Sequence, residues 1–199
     1  MSDYEHLKEK SSMLYRCEWS QKNEIYSKYH DEEWGKPLHD DQKLFEFLIL
    51  EGMQAGLSWI TILKKREAFR AAYENFDVQK VARFDQQKVE ELMSDVGIIR
   101  NRMKIEASIN NAQRFLEVVD EFGSFDSYIW GFVNHQTVVN RWTKLSEIPA
   151  KTELSDRISE DLKRRGFKFV GSTIVYSHLQ ATGVINDHLV SCFCHPDNC

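Results

Sequence analysis

Two pairs of metal-ligating residues stand at opposite ends of this chain, Cys17 and His30 near the start, His188 and Cys192 near the end. Zn²⁺ takes thiolate sulfur and imidazole nitrogen, and four such ligands leave no open coordination position, so the set describes a closed, structural site. Closing it requires the two termini to meet, which restricts the topologies open to everything between them. His188 and Cys192 are four apart, a spacing that puts both on one face of a helical turn. The tail also holds Cys194, His195 and Cys199, so a rearranged site using Cys194 or His195 stays open at this level. Cys17 stands alone while the other cysteines crowd the C-terminus, which favours metal binding in a reducing compartment over disulfides.

Helical spacing dominates from about Asp41 onward. Leu44, Phe45, Leu48 and Ile49 make one apolar stripe, and Ile60 with Leu63 continues a second beyond Gly52 and Gly56. Val81, Val89, Leu92 and Met93 mark a further amphipathic stretch, with Asp85 as an N-cap. Ile105, Ile109, Ala112, Leu116 and Val119 give one continuous helix face. Later helices are expected to begin at Ser124 and Ser155, the second ending before Gly166. Phe167–Val170 and Thr173–Tyr176 contain β-formers but are short, so the expected fold class is all-α.

At 199 residues and 42% hydrophobic, the chain suits a single compact unit of two closely packed helical lobes. We assign one lobe to residues 41–145 and a metal-bound terminal lobe to residues 12–40 with 146–199. No segment approaches the roughly 20 apolar residues of a membrane span, and the charged stretch Ser2–Lys10 does not read as a secretory signal. A cytoplasmic location is the default, and nothing demands more than a monomer.

A net charge of −5 argues against chain-wide affinity for nucleic acid but leaves room for a local patch. Positive charge gathers at Lys64-Lys65-Arg66, at Arg100, Arg102 and Lys104, and at Lys163-Arg164-Arg165 with Lys168; solvated helix ends would look the same. Residues 51–59 read EGMQAGLSW, a small-residue loop flanked by the Glu51 carboxylate and the Trp59 indole. A flat, polar base needs such a pair, a plane to stack on and an acceptor for its edge. Trp19, Tyr26, Tyr29 and Trp34 cluster around His30, and Tyr26 and Tyr29 share a helix face. A metal that fixes His30 therefore also fixes a pocket wall. Leu92–Arg102 joins two amphipathic helices through Gly97, and helix-start N–H groups with Arg100 or Arg102 suit a phosphate. Ile99 stands where a second hairpin glycine is usual.

Taken together, Cys17-x-Trp19, Tyr29-His30-Asp31-Glu32-Glu33-Trp34-Gly35, EGMQAGLSW, GIIRNR, the Lys163–Gly171 block and Asn186-Asp187-His188 resemble the 3-methyladenine DNA glycosylase I family, over roughly residues 16–192. The resemblance implies a helix-hairpin-helix fold and a monofunctional enzyme releasing 3-methyladenine from alkylated double-stranded DNA in base excision repair. It implies Glu51 and Tyr29 as catalytic and base-recognising residues, with Trp59, Trp19 and Tyr26 as further substrate contacts. It implies Gly56 and Leu57 as a plug into the DNA gap, Gly97, Arg100 and Arg102 as DNA contacts, and Cys17, His30, His188 and Cys192 as ligands of one structural Zn²⁺. Asn110–Phe115 contains no carboxylate of the kind many relatives in the wider superfamily use. Lys104, too close to the turn for a Schiff-base role, reads as a phosphate contact, so no strand-cleaving lyase step is expected. The rival readings are a non-catalytic module that binds alkylated or distorted DNA, and a zinc-dependent hydrolase or deaminase needing an open metal position.

Overall fold

The computed structural model describes residues 15–198; Ser2–Lys10 and Cys199 lie outside the described residues. Helices account for nearly all regular structure: α1 Glu24–Glu32, α2 Asp41–Gln54, α3 Trp59–Ala72, α4 Val78–Val81, α5 Gln86–Ser94, α6 Arg102–Phe122, α7 Phe125–Gly131, α8 Glu153–Arg164 and α9 Ser172–Ala181. A 3₁₀ turn, Glu18–Lys22, precedes α1. Two short strands, β1 Val138–Val139 and β2 Ile185–Asn186, pair in parallel. Strands of two residues have no alternation to display, which is why the sequence pattern does not announce them.

Side-chain caps set the helix starts. Asp40, Asp85, Asn101 and Ser124 each accept from the backbone N–H three residues on. At α8 the start differs from expectation, because Thr152, not Ser155, is the N-cap. Thr152 accepts from the Ser155 N–H while the Ser155 hydroxyl takes the Thr152 N–H, a reciprocal box that moves the helix start three residues earlier. Phe167–Val170 is loop, and Thr173–Tyr176 lies inside α9. His188 and Cys192 do not share a helical turn. Their segment is extended and then closes in a tight turn, with the Cys192 N–H donating to the Leu189 carbonyl at 2.7 Å.

Helix α2 is buried continuously from Leu44 to Glu51 because other elements pack around it. Its Phe45 and Ile49 share one large apolar cluster with Phe115, Phe125, Ile158 and Val175. A smaller cluster is built from both chain ends: Cys17, Tyr29, Trp34, Phe47, Ala181, Leu189 and Cys192. Two glycines permit this closure. A Cβ on Gly183 would lie 2.1 Å from the Lys36 carbonyl carbon, and one on Gly35 would lie 2.9 Å from the His188 ring. Both adopt positive φ, +69° and +74°, which side chains disfavour. No described helix is long and apolar enough to cross a membrane.

Candidate active site

The end of α2, the start of α3, α1 and α9 enclose a pocket of about 220 Å³ lined by Trp19, Tyr26, Tyr29, Trp34, Glu51, Gln54, Trp59, Ser177 and Gln180. Glu51 sits in the last turns of α2 and Trp59 opens α3, so the short loop between them brings both side chains to one cavity. The aromatic walls brace one another. Trp19 meets Tyr26 and Trp34 edge-on at 5.6 and 5.1 Å between ring centres, and Tyr29 tilts against Trp59 at 5.6 Å. The Tyr26 hydroxyl accepts the Ile60 N–H at 3.1 Å, fixing one wall to the first turn of α3. Every pocket residue expected from the sequence is here. Gln54, Ser177 and Gln180 are additions: Gln54 is one helical turn from Glu51 and legible by that spacing, whereas the α9 residues are remote in the chain and carried no local signal.

Glu51 is 3% exposed, and its Oε2 has no hydrogen-bond partner among the described residues. Burial alone pushes its pKa from 4.5 up to about 8. Trp59 Nε1 is buried beside the Tyr29 hydroxyl. Burial, reinforced by the nearby Glu51 and Glu33 carboxylates, raises the Tyr29 phenol well above its ordinary value, keeping it neutral. Unsatisfied buried polar groups are costly and rare. An acceptor left open in an aromatic cavity is complementary to a planar ligand carrying a donor edge.

Behind the Trp19–Trp34 wall lie Cys17, His30, His188 and Cys192, all buried, with their ligand atoms within 4.8 Å of one another. Cys192 Sγ is 3.4 Å from His30 Nε2 and 3.5 Å from His188 Nδ1, and Cys17 Sγ is 3.8 Å from His188 Nδ1. Tetrahedral zinc bonds imply ligand separations of about 3.3–3.8 Å, and these three separations fall in that range. The ring tautomers fit too. His30 Nδ1–H donates to Asp31 at 2.8 Å and His188 Nε2–H donates to the Trp34 carbonyl at 2.9 Å, leaving on each imidazole the lone pair that faces the sulfurs. His30 packs edge-on against Trp19, and His188 against Trp34, so the cluster buttresses the pocket wall. Cys194 lies beside it, forming a second possible group with His30 and Asp31; His195 instead bonds the Asn140 carbonyl.

A family model described as Methyladenine glycosylase matches residues 19–195, nearly the whole described chain. The chain belongs to this family. It is 53% identical over 92% of its length to DNA-3-methyladenine glycosylase 1 of Escherichia coli (strain K12), covering 98% of that protein. It is 47% identical to DNA-3-methyladenine glycosylase of Haemophilus influenzae, again over 92% of this chain and 98% of that one. Among solved structures, a Staphylococcus aureus 3-methyladenine DNA glycosylase I, solved to explain 3-methyladenine recognition, superposes with a TM-score of 0.88 at 39% identity. That match covers 91% of this chain and 96% of the other.

The hairpin between α5 and α6 stands next to the pocket loop, joined to its flanks through Lys65 and Lys104. Asp95 Oδ1 accepts the Gly97 N–H at 2.7 Å, and Val96 at the tip is 73% exposed. Gly56 and Leu57 are exposed on the pocket loop, and Arg100 is exposed without an ion-pair partner among the described residues. Arg102 is ion-paired to Glu90 at 2.7 Å. In the remaining basic clusters Lys64, Lys163 and Lys168 are exposed, while the arginines are engaged within the fold. Arg66 is buried against Glu33 and Glu46, and Arg164 and Arg165 pair with Asp161. Lys104 corrects the sequence reading: it is 8% exposed, and its ammonium donates to the carbonyls of Met53 and Ala55, at 2.9 and 2.6 Å. It caps the C-terminus of α2 and is not a phosphate contact. Two of the helix carbonyls that lack intrahelical partners outweigh a distant phosphate for a buried cation.

Proposed function

We propose that this chain is a monofunctional DNA glycosylase that hydrolyses the N-glycosidic bond of 3-methyladenine in alkylated double-stranded DNA, releasing the free base at the opening of base excision repair. The observation that carries this reading is Glu51, a buried carboxyl with an unmet oxygen inside an aromatic cavity. Methylation at N3 makes adenine cationic. An entering cation favours the ionised form of Glu51, and the carboxylate then accepts from the base's exocyclic amine, while Trp59, Tyr29, Trp19 and Tyr26 supply stacking and edge contacts.

The cationic base is already a good leaving group. Water attacks the sugar C1′, the C1′–N9 pair departs with the base, which leaves neutral, and the water proton passes to solvent. Glu51 acts chiefly by recognition. Its negative charge stabilises the cation on extraction, and neutral adenine, offering no charge to offset ionisation of Glu51, gains less from the same pocket. In the stretch after the hairpin, Asn110 and Asn111 are occupied by the Gly166 and Lys168 carbonyls. No step here requires a lysine nucleophile, so strand cleavage is not part of the reaction.

Gly56 and Leu57 are assigned to the gap left by the extracted base, and Gly97, Arg100 and Arg102 to the DNA backbone, Arg102 exchanging Glu90 for phosphate. Cys17, His30, His188 and Cys192 would hold one Zn²⁺ in a closed structural role, supplying rigidity to the wall behind the base and no chemistry to the bond that breaks. We assign the chain to the cytoplasm as a monomer. Incubating purified protein with methylated DNA and identifying the released bases tests the whole reading. Release of 3-methyladenine with intact strands supports it; DNA binding without base release favours the non-catalytic alternative.

A further inference from the structure

We propose that Gln180 is a specificity-determining residue of the base pocket: its side-chain carbonyl oxygen, held toward the cavity by Asp187, accepts from the exocyclic amine of the captured purine and disfavours a purine with a carbonyl at that position. The inference rests on the glycosylase reading above.

The orientation of Gln180 follows from its partner. Asp187 is fully buried and collects four donors. Asn140 Nδ2 and Trp142 Nε1 reach Oδ1, each at 2.7 Å, and the Tyr176 hydroxyl and Gln180 Nε2 reach Oδ2, the latter at 2.7 Å. Turning the Gln180 amide over would set its carbonyl oxygen against a carboxylate oxygen, acceptor against acceptor, so the amino group must face Asp187. The opposite pole, Oε1, takes no hydrogen bond among the described residues, and the side chain lines the pocket. Gln54, also on the pocket lining, has neither pole engaged among the described residues and can turn to suit either kind of ligand. Gln180 cannot.

The cavity therefore offers one acceptor fixed in character, Gln180 Oε1, beside Glu51, which accepts in the ionised form that a cationic base favours. An adenine derivative carries two N–H bonds on its exocyclic nitrogen, whereas a guanine derivative presents an acceptor oxygen at the corresponding position. A site built to accept a hydrogen bond leaves its own polar groups unpaired when the ligand lacks the donor, which is the strongest form of small-molecule discrimination.

Gln180→Met keeps the side-chain length and removes the acceptor. Release of 3-methyladenine and 3-methylguanine from the same methylated DNA is compared with that of the unaltered chain. The ratio is expected to fall about ten-fold or more, the size of one lost hydrogen bond to a buried site. Tyr176→Phe removes another Asp187 donor without touching the pocket lining. A merely structural role for Gln180 predicts the same loss in both variants, and that result would overturn the inference, as would an unchanged ratio in Gln180→Met. A measurement on the unaltered protein does not depend on the variants folding: the side-chain amide of Gln180, followed by NMR, should shift downfield with free 3-methyladenine, and an amide unmoved at saturation would also overturn it. If the unaltered chain releases no 3-methyladenine, the glycosylase reading fails. If it does so with an unchanged ratio in Gln180→Met, only the role of Gln180 fails.

Discussion

Glu51 is held in a place where its ionised form has no internal support, and both its function and its cost follow from that. With a pKa near 8 in the empty pocket, it is mostly protonated at neutral pH, so capture of a cationic base requires proton release. Because kcat/KM reports ionisation of the free enzyme, it should rise with pH toward about 8 and level off above; a profile flat from pH 6 to 9 would refute Glu51 as the cation's partner. The linkage to stability has the opposite sense. Between the ordinary carboxyl pKa of 4.5 and about 8 the folded chain binds the proton that the unfolded chain has lost, so stability falls with rising pH by up to about 1.4 kcal/mol per unit. Glu51→Gln should remove that component of the slope, measured by denaturant titration at several pH values, while lowering 3-methyladenine release by a factor of about a hundred or more. Glu51 and Trp59 were legible because they bracket a glycine-containing loop, and Tyr29 because it adjoins His30 and shares a helix face with Tyr26. Gln180 was not, since its meaning depends on Asp187, a carboxylate whose donors come from four separate positions along the chain.

At the scale of elements, the pocket loop and the hairpin hold one another through a reciprocal pair of lysines. Helix α3 starts at the pocket loop, and its Lys65 donates to the hairpin carbonyls of Val96 and Gly97 at 2.9 and 3.1 Å. Helix α6 starts at the hairpin, and its Lys104 reaches back to Met53 and Ala55. On the proposed reading, phosphates held by the hairpin would thereby be kept in register with the loop that carries Gly56 and Leu57. Lys104→Met should leave the salt dependence of DNA binding unchanged, because no phosphate contact is lost, yet lower turnover on methylated DNA. Arg100→Ala should weaken binding evenly across sequences and reduce the slope of log affinity against log salt by about one. A reduced slope in Lys104→Met would restore the phosphate reading. Sequence pattern located both helices and the turn between them, but a lysine near a turn looks the same whether it faces phosphate or a helix end. Only the three-dimensional neighbour decides.

For the whole molecule, the clasp inferred from four residues at the two ends is the feature on which the rest depends. The ends do meet, with Cys17 and Cys192 both fully buried beside His30 and His188. His188 and Cys192 do meet, but not on a helical turn, since a spacing of four is also met by an extended segment closing in a tight turn. Apparent zinc affinities in small structural sites, about 10–16 kcal/mol, match or exceed the whole stability of a typical domain, about 5–15 kcal/mol. If Zn²⁺ fills the cluster as proposed, its loss should therefore loosen the fold before it affects any chemical step. Trp19 and Trp34 lean on the ligand imidazoles, so the base pocket should go with it. Cys17→Ser should lower bound zinc below one per chain and reduce Tm by roughly 10 °C or more, the scale of losing several kcal/mol in a chain of this length. Under a strong chelator, melting temperature and base release should decline together, and added Zn²⁺ should restore both. A chain that kept its melting temperature while losing turnover would instead hold a catalytic metal, and one carrying a full equivalent of zinc after both Cys17→Ser and His188→Ala would not be clasped by these residues at all.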